Sequence, residues 1–177
     1  KKLAVAFLWH MHQPLYKDFM TGEYFLPWVR LHSTFAYYDM ASLVREMPEA
    51  RCTFNITPSL MYQLIDISEN KKIDEKFLRL SSKKATDLTL YDRVFILRNF
   101  FSCSTITGIF PIERYKQLFS KRGENLDETF LKENKVGEFS DDDFRDLQVL
   151  FNLAWCGFTL REKDPIVREL FVKGRNF

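Results

Sequence analysis

No stretch of this 177-residue sequence stays apolar for the roughly 20 residues needed to cross a bilayer, and nothing in it resembles a signal peptide. These absences make a soluble, cytoplasmic protein the expectation. An excess of one charge is also missing: 26 basic against 24 acidic side chains leave a net charge of +2. Binding to polyanions usually needs a concentrated basic face, so nucleic acid is not expected as a partner. Cysteine is scarce: Cys52, Cys103 and Cys156 stand far apart, their number is odd, and no C-x-x-C spacing occurs. Neither a disulfide framework nor a thiolate metal site is expected from them; they read as neutral, buried thiols. Repeats and low-complexity linkers are missing too. What is present is 46% hydrophobic and 16% aromatic, the composition of a globular chain with ample core and no call for disorder.

The run LAVAFLW, residues 3–9, is too brief for a helix with a buried stripe and predicts a strand covered on both faces. RCTFNI, residues 51–56, predicts a second. Between them, Leu31, Phe35, Tyr38, Leu43 and Val44 recur at near-helical spacing over about 30–47, ending before Pro48. Strand, helix, strand is a βαβ unit, whose strands lie parallel. After residue 56 the pattern turns helical. Thr57 and Pro58 open one helix, TLYDRVFILRNFF forms another from Thr89, and a third runs from Pro111 to Gly123. Ser140, with Asp143 three residues on, caps a fourth, and Asp164–Pro165 to Gly174 repeats the device.

Two parallel strands are a poor sheet, because stable sheets need several strands with covered faces. The economical reading is an incomplete α/β domain: a first βαβ unit over 1–57 and a mostly helical insertion over 58–177. Position 1 is Lys rather than Met, which fits a sequence beginning inside a longer reading frame.

The chemistry gathers where the first strand ends. In WHMHQP, residues 9–14, His10 and His12 are two apart and project to one side of an extended chain, with Trp9 on the other. Pro14 lacks an N–H and ends the strand. In parallel α/β sheets ligands bind at the carboxyl ends of the strands, so two imidazoles and the Gln13 amide stand where hydroxyl-rich ligands would meet them. Trp28, placed with Arg30 in the loop before the first helix, could stack on a sugar face. Asn55 ends the second strand at the same edge. Each has a plainer reading as well: packing for Trp28, a turn for Asn55, a structural imidazole for either histidine. Asp141, Asp142 and Asp143 read as a helix N-terminal charge patch. The His-x-His pair would suit a metal, but a catalytic zinc needs a third ligand, and neither His32 nor Asp39 is singled out by spacing.

WHMHQP, LPWVRLH, YYDMA, TFNITPSL and QLID follow one another in an order and spacing that resemble the N-terminal region of glycoside hydrolase family 57. DLQVLFNLAW and DPIVRELFVKGRNF are also similar to that family, particularly to its α-amylases and α-glucan-processing members. The resemblance implies the N-terminal part of a (β/α)7 barrel, with a long helical insertion after the second strand. It implies action on α-linked glucans with retention through a covalent glycosyl-enzyme, and no metal or organic cofactor. It places His12, of the HQP motif, in the sugar-binding centre beside His10, Gln13, Trp28 and Asn55. Retention needs two carboxyl groups roughly 5–5.5 Å apart. None here stands in a matching motif, so no catalytic residue is assigned: nucleophile and acid/base are expected beyond residue 177, and this chain alone is expected to be inactive. Its expected partners are an α-glucan and the remaining part of the same enzyme. Two other readings stay open: a metal-dependent, deacetylase-like hydrolase using His10 and His12, and a non-catalytic glucan-binding or barrel-completing subunit.

Overall fold

The computed structural model describes residues 3–70 and 73–175. They form two compact units, Lys1–Lys76 and Phe77–Phe177, mostly helical, with one small parallel sheet.

In the first unit β1 (Leu8–Met11) pairs in parallel with β2 (Thr53–Ile56) in the register Leu8↔Thr53, Trp9↔Phe54, His10↔Asn55, Met11↔Ile56. Two further backbone bonds extend the ladder, from Thr53 N–H to Phe7 O (2.9 Å) and from Thr57 N–H to Met11 O (3.1 Å). The strand thus lies later than the apolar run predicts. The chain before Thr53 turns after Pro48, where Ala50 N–H bonds to Met47 O, and β1 extends only as far as it finds a partner.

The crossover is helical, as the spacing predicts, but it is broken. α1 (Trp28–His32) runs through a wide π-type turn, Ser33–Tyr37, into α2 (Tyr38–Glu46), and Phe35 leaves helical geometry at φ −114°, ψ −107°. Such a turn rotates the face that follows it. The predicted apolar stripe therefore splits: Leu31 is 1% exposed and Leu43 43%. α3 (Pro58–Glu69) starts where predicted, with Thr57 extended at the N-cap and Pro58 first in the helix. Met11, Val29 and Leu60 centre a core that takes in Tyr37, Phe54 and Leu64.

The expectation of a strand covered on both faces is not met. Met11 is buried, but Leu8, on the face that nothing described covers, is 65% exposed, and Phe7 and Trp9, on the crossover side, stay 59% and 49% exposed beside the cavity that they line with Leu43 and Met47.

The second unit consists of α4 (Lys76–Ser82), α5 (Leu90–Asn99), α6 (Glu113–Arg122), α7 (Glu128–Phe130), α8 (Asp141–Ala154), α9 (Phe158–Lys163) and α10 (Pro165–Arg175), with short 3-10 and π turns between them. No strand occurs among its described residues. Phe77 stacks on Phe100 at 5.8 Å, and Phe100 on Phe151 at 4.6 Å. α8 inserts Phe144, Leu147 and Phe151 into this core. Two helix boundaries differ from the sequence pattern. α6 starts at Glu113, two residues after Pro111, because Ile112 takes the N-cap in an extended conformation and buries its side chain. Gly123 does end that helix, at φ +76°. Gly174 does not end α10 but lies inside it, where a Cβ would meet Ile112 Cγ2 at 2.9 Å; it permits close helix approach. The three cysteines are free, and burial raises the thiol pKa of Cys103 and Cys156.

Asp143 does more than decorate a helix start. Its carboxylate accepts from Ser140 N–H (2.9 Å), Lys121 Nζ (2.8 Å) and Arg114 Nη2 (2.6 Å), while its own N–H donates to Ser140 Oγ (3.1 Å). Burial alone would raise its pKa, but these donors outweigh burial and hold it at about 2. Because the folded pKa lies below the unfolded value of about 3.9, the stabilisation is fully present above pH 4 and is lost as pH falls toward 2. Asp143→Asn should therefore lower stability at neutral pH by about 2 kcal/mol, with the gap to wild type closing in acid. Thermal melts across that range check it; a gap independent of pH would contradict the ion-pair account.

Candidate functional site

Leu8, His10, Thr53 and Asn55 share one face of the strand pair, and Trp9, Met11, Phe54 and Ile56 the other, because paired residues in a parallel ladder point the same way. On the first, open face His10 and Asn55 are exposed neighbours. Asn55 Nδ2 lies 3.2 Å from His10 Nδ1. An amide nitrogen only donates, so Nδ1 accepts and the neutral ring carries its proton on Nε2. His12, the first residue past β1, stacks its ring over that of His10 at 6.2 Å and 12°. The two imidazoles thus present their edges side by side at the carboxyl end of the strand pair.

The loop that follows is fastened by α3. Along one face of that helix, Ser59, Gln63, Asp66 and Asn70 recur at i, i+4, i+7 and i+11. Ser59 Oγ donates to Gln13 O (2.9 Å). Gln63, fully buried, donates from Nε2 to Pro14 O and Ser59 O and accepts at Oε1 from Tyr16 N–H, at 2.8–2.9 Å. Asp66 Oδ2 accepts from Lys17 Nζ (2.8 Å) and Tyr24 Oη (2.5 Å), and Asp66 Oδ1 from Asn70 Nδ2 (2.6 Å). Burial alone would raise the Asp66 pKa, yet these donors hold it below the usual carboxylate range. Burial, then the Asp66 contact, pushes the Tyr24 phenol well up. Phe25 N–H closes the loop base on Tyr16 O at 2.9 Å.

Gln13 is largely committed within this frame. Its Oε1 accepts from Tyr16 Oη (2.9 Å) and its Nε2 donates to Tyr37 Oη (3.3 Å). Tyr16 stays a proton donor, its pKa raised by burial and then by Tyr37. The wide turn after α1 is what delivers Tyr37 to this amide.

The remaining sequence candidates divide. Trp28 is not in a loop; it is the first residue of α1 and half-buried, since Pro27 occupies the N-cap. Arg30, also in α1 rather than before it, makes a two-pronged ion pair with Glu75, Nε to Oε2 at 2.8 Å and Nη2 to Oε1 at 2.9 Å. Glu75 is 2% exposed, so this arginine is structural. Burial lowers the pKa of His32, whose ring lies 5.8 Å from that of Tyr37. Among the described residues no group of three or more His, Cys, Asp or Glu side chains is arranged to hold a metal ion. On the opposite face of the sheet, Phe7, Trp9, Leu43, Met47 and Phe54 line an apolar cavity of about 310 Å³ that offers little to a polar reactant.

The frame residues Ser59, Gln63 and Asp66 were not singled out as site residues by pattern. The available signal was a polar stripe at helical spacing beside the apolar Leu60, Leu64 and Ile67.

The sequence profile described as glycosyl hydrolase family 57 matches residues 6–176, nearly the whole chain. The chain belongs to glycosyl hydrolase family 57. Neither the curated proteins nor the solved structures give a match to it. The geometry of the strand-end histidines His10 and His12 can be tested directly. At a pH where the imidazoles are neutral, ¹⁵N NMR should find His10 as the Nε2–H tautomer, and Asn55→Ala should give a mixture. A predominant Nδ1–H form in wild type would contradict the Asn55 contact.

Proposed function

We propose that this chain is the sugar-binding, N-terminal portion of a retaining glycoside hydrolase or glucanotransferase acting on α-linked glucans. Its βαβ unit forms the first part of a (β/α)7 barrel, in which the open face of β1 and β2 looks inward. The carrying observation is the side-by-side pair of His10 and His12 rings at the carboxyl end of a parallel strand pair, in a family 57 chain. Imidazoles at that edge offer N–H donors and nitrogen acceptors, the complement of vicinal sugar hydroxyls.

In this reading His12 and His10 bind the sugar beside the scissile bond. Asn55 orients His10, and Gln13 serves mainly as framework, with one donor and one acceptor site left for a hydroxyl. Trp28 forms part of a wall on which a sugar ring stacks. The nucleophile and the acid/base are carboxyl groups supplied by polypeptide beyond residue 177, and without them the chain binds sugar but does not cleave it. Exposed Leu3, Val5 and Leu8, at 91%, 67% and 65%, support the idea that further strands cover this region. Among the described residues no helix is long and apolar enough to cross a membrane.

Titration of the chain with a maltooligosaccharide tests the proposal. His12→Ala should weaken binding about tenfold or more while shifting the melting temperature by no more than about 2 °C, a small surface change. Unchanged affinity would overturn the site, and a large loss of stability would assign His12 to the core instead.

A further inference from the structure

We infer that Gln63 is a positioning residue for the sugar-binding lip, acting through the backbone of residues 13–16 rather than by touching substrate. The inference rests on the function proposed above.

Three observations carry it. The Gln63 carboxamide is wholly buried, and its three bonds leave no ambiguity about which end is which: Tyr16 N–H must donate to Oε1, and the carbonyls of Pro14 and Ser59 must accept from Nε2. A donor and an acceptor on one planar group are thus matched to two backbone groups two residues apart, at the end of the HQP segment. Second, the fixed backbone is coupled to the lip's side chains. Tyr16, whose amide Gln63 holds, gives its hydroxyl to Gln13 Oε1, and Ser59, one turn earlier on α3, holds Gln13 O. Third, the next link beyond is independent: Asp66 takes Lys17 and Tyr24, so the outer half of the loop remains fastened when Gln63 is changed. The consequence of losing Gln63 is therefore local, a freed hinge at Pro14–Tyr16, next in the chain to His12 and Gln13. Displacement of a binding group by about 1 Å is enough to cost orders of magnitude in a positioned site.

Gln63→Met keeps the length and removes every bond; Gln63→Glu keeps the acceptor for Tyr16 N–H but sets a carboxylate against the carbonyls of Pro14 and Ser59. Ser59→Ala is the milder variant, removing only the bond to Gln13 O from this frame. A control is Gln148→Met in the second unit, where a buried amide likewise donates to two carbonyls, those of Leu80 and Lys83. Maltooligosaccharide affinity of the chain is measured for each, well below its melting temperature, with melts run in parallel. The expected result is affinity about tenfold weaker in Gln63→Met and Gln63→Glu and about threefold weaker in Ser59→Ala. Gln148→Met should bind like wild type whatever its melting temperature. Gln63 variants that melt lower yet bind like wild type would overturn the positioning role, as would equal losses in Gln148→Met. Should Gln63→Met and Gln63→Glu fail to fold, undiminished affinity in Ser59→Ala would overturn it. Wild-type chain that binds no oligosaccharide would overturn the proposed function and this inference with it.

Discussion

A parallel strand pair cannot be closed by a tight turn; the chain must travel back along the sheet, and in a right-handed βαβ unit it does so over one face. In this protein the pair is four residues long, and its register decides what each face carries. Trp9, Phe54 and Ile56 fall on the crossover side. Leu8, His10 and Asn55 fall on the side the crossover leaves open. A slip of one residue would exchange the two sets and send the imidazole against α2. Nothing else in the first unit has that leverage over where polar chemistry is exposed.

α3 converts the register into a shaped lip. Its apolar residues Leu60 and Leu64 anchor it in the core with Met11 and Val29, so the helix has a fixed position relative to the end of β1. Ser59, Gln63 and Asp66, on an adjacent stripe, then meet Gln13, Pro14, Tyr16 and Lys17 in succession. Partly buried backbone groups left unpaired in that loop would each cost roughly 1–3 kcal/mol, which is why the helix holds the loop in one conformation. Ordering the loop places His12 beside His10, and the wide turn that carries Tyr37 to Gln13 completes the frame.

Local signals were legible in the sequence. Thr57–Pro58 and Gly123 mark helix ends through local backbone conformation, and Ser140 with Asp143 through a reciprocal capping box; each acts where the pattern put it. The parallel pairing of the two strands could also be read, because a helix between two apolar runs admits little else. The limits of β1 could not, since they depend on which residues of the 47–56 segment are extended to meet it. Gly174 and Pro111 misled for a related reason: the packing of Ile112, not local propensity, governs both. At the site, His10, His12 and Asn55 stood out separately, but their union rests on a contact between residues 45 apart. Gln63 was hidden in the same way, its partners lying 47 and 49 residues back along the chain.

The face assignment is the claim on which the functional reading stands, and NMR titration with a maltooligosaccharide reads it directly. The account predicts that sugar shifts the resonances of Leu8, His10, His12, Thr53 and Asn55 and leaves Trp9, Leu43 and Phe54 on the opposite side unmoved. Shifts confined to Trp9, Leu43 and Phe54, around the apolar cavity beneath α2, would contradict it.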